Sequence, residues 1–157
     1  MSFATTTAHA EVTPPAEPPR RARQLGLAGL APFVLGAGLI WLVYPYPDAH
    51  ASVTLALSSY AGSIVAFLGG IHWGLSFARG LPGRQPLVWG VCAALLGWLG
   101  VLMSPYAGLA LHGGVLIACY AVDRRVYPQL GAGDWLTLRF RLTIVGALSC
   151  FLAAAGS

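Results

Sequence analysis

The sequence is short of charge. Only 9% of its 157 residues are Asp, Glu, Lys or Arg, against roughly 25% in soluble domains. With 57% hydrophobic residues, that deficit excludes a soluble globular domain. Lysine is absent, and all nine basic residues are arginines. Cysteine is sparse: Cys92, Cys119 and Cys150 all lie inside apolar runs. An odd number of thiols without metal-ligand spacing excludes a disulfide framework and a cysteine-based metal centre. Carboxylates are missing from the apolar runs, because Glu11, Glu17, Asp48, Asp123 and Asp134 fall outside them or at their ends. This disfavours proton- or sodium-coupled transport, which usually relies on an intramembrane carboxylate. Zinc, serine-hydrolase, Walker and dinucleotide motifs are also absent. The sequence therefore gives no catalytic residue, no metal ligand and no cofactor, and nothing suggests a nucleic-acid partner.

What is present is a series of apolar runs long enough to cross a bilayer of roughly 30 Å hydrocarbon at ~1.5 Å per residue. The expected fold is all-α: an integral membrane bundle of five transmembrane helices over residues 24–157, with spans near 25–44, 55–78, 87–103, 106–122 and 139–155. Residues 1–23, with Pro14, Pro15, Pro18 and Pro19, cannot bury apolar area and read as a disordered cytoplasmic tail. Arg20-Arg21 ahead of an apolar run, with Ala49-His50-Ala51 beyond it, also permits a cleaved signal. The length of Leu25–Tyr44 and the spans that follow favour retention. Pro32 should bend that first span. Ser104-Pro105 should turn the third span tightly into the fourth.

The arginines orient the chain. With five spans, Arg20, Arg21, Arg23, Arg79, Arg84, Arg124, Arg125, Arg139 and Arg141 all fall on one side. The positive-inside rule puts that side, and the N-terminus, in the cytoplasm, and the C-terminus outside. The same ring should favour anionic lipid headgroups.

The stretch Ser58–Ala78 carries no charge, and winding it at ~100° per residue sorts its side chains. Leu57, Tyr60, Ile64, Phe67, Leu68, Ile71 and Leu75 fall on one side. Ser58, Ser59, Gly62, Ser63, Ala66, Gly69, Gly70 and Gly74 fall on the other. Small faces let helix backbones approach in lipid, so Gly62, Ala66, Gly69, Gly70 and Gly74 are the expected packing positions and this helix the expected hub. His72 lies at the edge of the small face, roughly 9 Å from the inner surface. It reads either as a ligand, proton carrier or gate, or as a neutral imidazole bonded to a serine or a backbone carbonyl. His112 invites a bis-histidine haem site, but the pair is offset by roughly 12 Å along the membrane normal, and one haem needs its axial ligands at one level. Asp123 with Arg139 or Arg141 either ties the fourth span to the fifth or forms a solvated rim worth little.

These residues resemble a family. Tyr60-Ala61, followed by Phe67-Leu68-Gly69-Gly70-Ile71-His72-Trp73-Gly74, is similar to the signature of the domain of unknown function 3429 family, the transmembrane protein 69-like proteins. Leu25-Gly26, Gly29-Leu30 and Pro32-Phe33 resemble its opening motif, and Trp135, Leu138-Arg139 and Leu142-Thr143 its closing one. The resemblance implies a multi-pass protein of the bacterial inner (plasma) membrane, and it implies no activity. It singles out Gly69, Gly70, His72, Trp73, Gly74, Arg139 and Thr143.

The candidate functional residues are thus His72, Trp73, Asp123, Arg139 and Arg141. The leading expectation is a non-enzymatic membrane scaffold, accessory subunit or assembly partner, meeting a membrane protein or a second copy of itself. The alternatives are a small oligomeric permease or channel, with His72 gating a path lined by Ser59, Ser63 and Ser76, and a membrane enzyme or cofactor protein using His72.

Overall fold

The computed structural model describes residues 18–80 and 84–157. Residues 1–17 of the expected tail, and Pro82 and Gly83 of the second loop, lie outside the described residues. Among the described residues six α-helices follow in order: α1 Arg20–Ala28, α2 Ala31–Leu42, α3 Pro47–Arg79, α4 Arg84–Leu102, α5 Pro105–Val126 and α6 Leu136–Ala155. A 3-10 turn, Gly133–Trp135, leads into α6. Five segments are long and apolar enough to span a membrane, with α1 and α2 together forming the first. The all-α, five-span architecture stands.

The first span is broken into two helices. Pro32 has no N–H to give, and the helix interrupts at Gly29-Leu30, just ahead of it. The Tyr60 hydroxyl from α3 donates to the Gly29 carbonyl at 2.8 Å. That bond stabilises a break that would otherwise leave an unpaired backbone acceptor in lipid. The helix already begins at Arg20, inside the segment expected to be a disordered tail.

The hub helix is longer than its apolar run. Residues 47–54, with Asp48, His50, Ser52 and Thr54 among them, continue it by two turns, started by Pro47 in the first turn and by Asp48 at the positive end of the helix dipole. At 33 residues it is about 50 Å long. Its extra turns are anchored where His50 Nε2 meets the Gly156 carbonyl oxygen at 2.8 Å. Nearby, Trp41 Nε1 donates to the Leu152 carbonyl at 3.1 Å. Burial on α3 runs through Leu57, Ser58, Ala61, Gly62, Val65, Leu68, Gly69, His72 and Ser76. It therefore straddles the seam between the large and small faces, because α2, α4 and α5 all pack on this helix.

Glycines set the closest approaches. Gly62 lies on Gly97, and Gly69 on Gly90, as α3 and α4 run antiparallel. A Cβ on Gly69 would sit 2.6 Å from the Gly90 carbonyl oxygen, and one on Gly62 2.8 Å from that of Gly97. Ala66 is half-buried between them. Gly70 and Gly74, expected at packing positions, instead face outward with nothing near them. Once α4 lies on Gly62 and Gly69, residues one position further round are turned to the bundle's exterior.

Gly69→Leu should therefore lower stability by about 1–3 kcal/mol or more, as overpacking against rigid backbone does. Gly70→Ala should stay within about 0.5 kcal/mol of the parent. Thermal unfolding of the detergent-solubilised protein separates the two, and equal losses would refute this assignment of faces.

Candidate functional site: a buried ionic triad

The α5 helix continues a full turn beyond Val122 and so carries Asp123 inside it. Leu116, Cys119, Asp123 and Tyr127 follow one another at helical spacing and are all buried. A carboxylate expected at a helix end is thus an interior residue, 1% exposed. The expectation that no acid lies within the bundle is corrected.

Asp123 is held from two directions. Oδ1 lies 2.8 Å from His72 Nε2 of α3. Oδ2 accepts from Arg139 Nε of α6 at 2.9 Å, with Nη2 2.8 Å from the same oxygen. A carboxylate only accepts, so Nε2 is the protonated nitrogen of His72 in this bond. His72 Nδ1 has no hydrogen-bond partner among the described residues. Ser76, one turn on, donates to the His72 carbonyl at 2.8 Å. The Tyr127 ring lies against the imidazole with centroids 5.8 Å apart. Burial, with Asp123 adding to it and Arg139 opposing it, pushes the Tyr127 phenol up to about 12. It stays a neutral, packed aromatic.

Arg139 is 8% exposed. Beyond Asp123, its Nη1 reaches Thr143 Oγ1 at a long 3.5 Å, and its guanidinium also meets the Tyr127 phenol. Its Nη2 lies beside Oδ2 without a hydrogen-bond alignment. A cavity of about 370 Å³ borders this edge, with Arg139 and Thr143 in its lining.

Chemically, the arrangement joins α3, α5 and α6 through one carboxylate. Isolated buried charge is very costly, whereas a hydrogen-bonded pair is tolerated. Among the described residues, no group of three or more His, Cys, Asp or Glu could hold a metal ion.

Of the residues singled out from the sequence, His72, Asp123 and Arg139 come together. Arg141, two positions on, faces outward. Trp73 stands apart from the triad: its indole lies where a Gly90 side chain would be, and Nε1 donates to the Leu87 carbonyl at 2.9 Å. His112, fully buried, instead meets the Gly97 carbonyl oxygen through Nε2 at 2.9 Å and occupies the space beside Gly100. It is a brace between α4 and α5. Tyr127 falls between the spans expected at 106–122 and 139–155, although its spacing from Asp123 continues the helical face.

A family model described as "Protein of unknown function (DUF3429)" matches residues 18–155. The chain is also 36% identical over 140 residues to Transmembrane protein 69 of Xenopus tropicalis, across 83% of this chain and 52% of that protein. The chain thus spans about half the length of that curated relative. No solved structure matches.

Asp123→Asn should cost about 3–5 kcal/mol by leaving Arg139 buried without a counter-charge. His72→Ala, which keeps the Asp123–Arg139 pair, should cost less. The double replacement Asp123→Leu with Arg139→Met should recover most of the loss. Unfolding of all four proteins in one detergent ranks the losses, and an Asp123→Asn protein as stable as the parent would refute the triad as a structural tie.

Proposed function

The chain belongs to the family described as "Protein of unknown function (DUF3429)", and we propose that it serves as a non-enzymatic scaffold or accessory subunit in a membrane assembly. The observation that supports this reading most is that His72, Asp123 and Arg139 have one another as partners. Intramembrane ionisable groups are functional by default when they face a pathway or a ligand. Here they link three helices of one bundle, as a registry device would.

The permease reading has less support. Ser59 and Ser63 lie on the outside of the bundle, with Ser63 bonded to its own helix at the Ser59 carbonyl. Ser76 is buried on another side of α3, so no single path joins the three serines with His72.

What the bundle leaves uncovered is the other part of the small face: Ser59, Ser63, Gly70 and Gly74, flanked by Phe67 and Phe77. Small residues on a lipid-facing helix allow close approach of another helix. A membrane-protein partner, or a second copy of this chain, meets the bundle there. The described arginines all belong to one end of the bundle. That end is cytoplasmic by the positive-inside rule, in a plasma membrane, and contacts anionic headgroups.

Cysteines placed at Ser59 and Ser63 should resist water-soluble maleimide in intact membranes. Gly70→Leu should strip a polypeptide partner, or the second copy, from the complex seen by native mass spectrometry while leaving the melting temperature unchanged. Solute flux in proteoliposomes that His72→Ala abolishes would overturn the scaffold reading in favour of a permease.

A further inference from the structure

The cavity beside the triad is built like a site for an amphiphile. Its walls are apolar, with Leu25 of α1, Phe33 of α2, Ile64 of α3 and Leu142 of α6 among them. Its volume of about 370 Å³ falls within the ~300–1,000 Å³ of small-molecule sites. It runs from the arginine-rich end of the bundle, at Ala22 and Trp135, inward to Gly146. Gly146 is ten residues into α6, which is about 15 Å along the helix. The outer wall is thin. No residue of α1 is buried, and its Gly26 lies against Leu142 of α6.

Polar groups enter this lining at one level. Arg139 and Thr143 lie one turn apart on α6, a short way in from the helix start. The Arg139 side chain is more than nine-tenths buried, and its Nη2, beside Asp123 Oδ2, has no aligned hydrogen-bond partner among the described residues. Of α1, Ala22 lines the mouth; its sequence neighbours Arg21 and Arg23, and Arg20 one residue earlier, are exposed at this end of the helix, with no acidic residue in its first turn. From mouth to floor, the order is fixed cations, then buried hydrogen-bond donors, then hydrocarbon. A phospholipid has the complementary order of phosphate, ester carbonyl and acyl chain.

We propose that this cavity binds one anionic phospholipid. One acyl chain lies between α1–α2 and α6, an ester carbonyl accepts from Arg139 or Thr143, and the phosphate sits among Arg20, Arg21 and Arg23. This site is separate from the outward α3 face and does not depend on the scaffold reading. A neutral amphiphile fits the apolar part but leaves the cationic mouth without a counterpart.

The test uses the full-length chain, delipidated in detergent and titrated with phosphatidylglycerol or phosphatidylcholine under native mass spectrometry. We expect a single phosphatidylglycerol adduct that survives activation energies removing phosphatidylcholine. Gly146→Leu, which fills the floor, and the triple change Arg20→Gln, Arg21→Gln, Arg23→Gln should each weaken it at least tenfold. Ile64→Phe narrows the cavity from the α3 side and replaces Gly146→Leu if that variant loses its helical circular dichroism. Equal retention of the two lipids by the parent, or unchanged phosphatidylglycerol binding in a folded cavity-filling variant, would overturn the proposal. So would a quinone copurifying in the cavity's place, with no phospholipid adduct.

Discussion

The structure turns on one carboxylate. Asp123 offers two oxygens, and each is taken by a different helix: Oδ1 by His72 of α3 and Oδ2 by Arg139 of α6. In a bundle held mainly by non-directional packing, this is a directional contact that three helices share. Its net energy need not be large, since desolvation offsets much of the attraction. Its value lies in the asymmetry of failure. Sliding any one helix by a turn would leave a buried charge or imidazole unpartnered, so competing registers are penalised steeply.

Glycine supplies what the triad cannot. Helices in lipid gain nothing from hiding apolar surface from water, so they associate through close packing. Gly62 and Gly69 bring α3 against Gly97 and Gly90 of α4 until backbone meets backbone. Gly100 of α4 then leaves room for the His112 imidazole of α5, which joins the Gly97 carbonyl oxygen. Gly97 thus takes part in both contacts of α4. The packing of α3 on α4 and the bracing of α4 on α5 share that residue, while the triad joins α3 to α5 and α6.

The first span plays a different part. Its break at Gly29-Leu30, satisfied by Tyr60, separates the basic α1 from α2, and both residues of the break line the lateral cavity. The α1 helix has exposed arginines and no buried residue. It forms the basic outer end of the first span. The molecule therefore has a tightly packed part around α3, α4 and α5, and a looser margin at α1. The scaffold reading concerns the outer face of the first, and the lipid proposal the second.

Much was legible in the sequence, for reasons that do not require tertiary contacts. Spanning segments follow from composition and length, because backbone groups in hydrocarbon must be satisfied within a helix. Placement of the arginines at one end follows from the number of crossings. Family membership was readable from the Gly69-Gly70-Ile71-His72-Trp73-Gly74 run and its flanking motifs. The sequence offered Asp123 with Arg139 or Arg141 as either a tie between the fourth and fifth spans or a solvated rim, and His72 apart from them as one ambiguous histidine. Their union depends on α5 continuing past Val122 and on the rotation of α3, and both are decided by packing against several neighbours at once. The same rotation divided the small face, sending Gly62 and Gly69 inward and Gly70 and Gly74 outward. A helical wheel assigns residues to faces, but only the neighbours decide which face is inside.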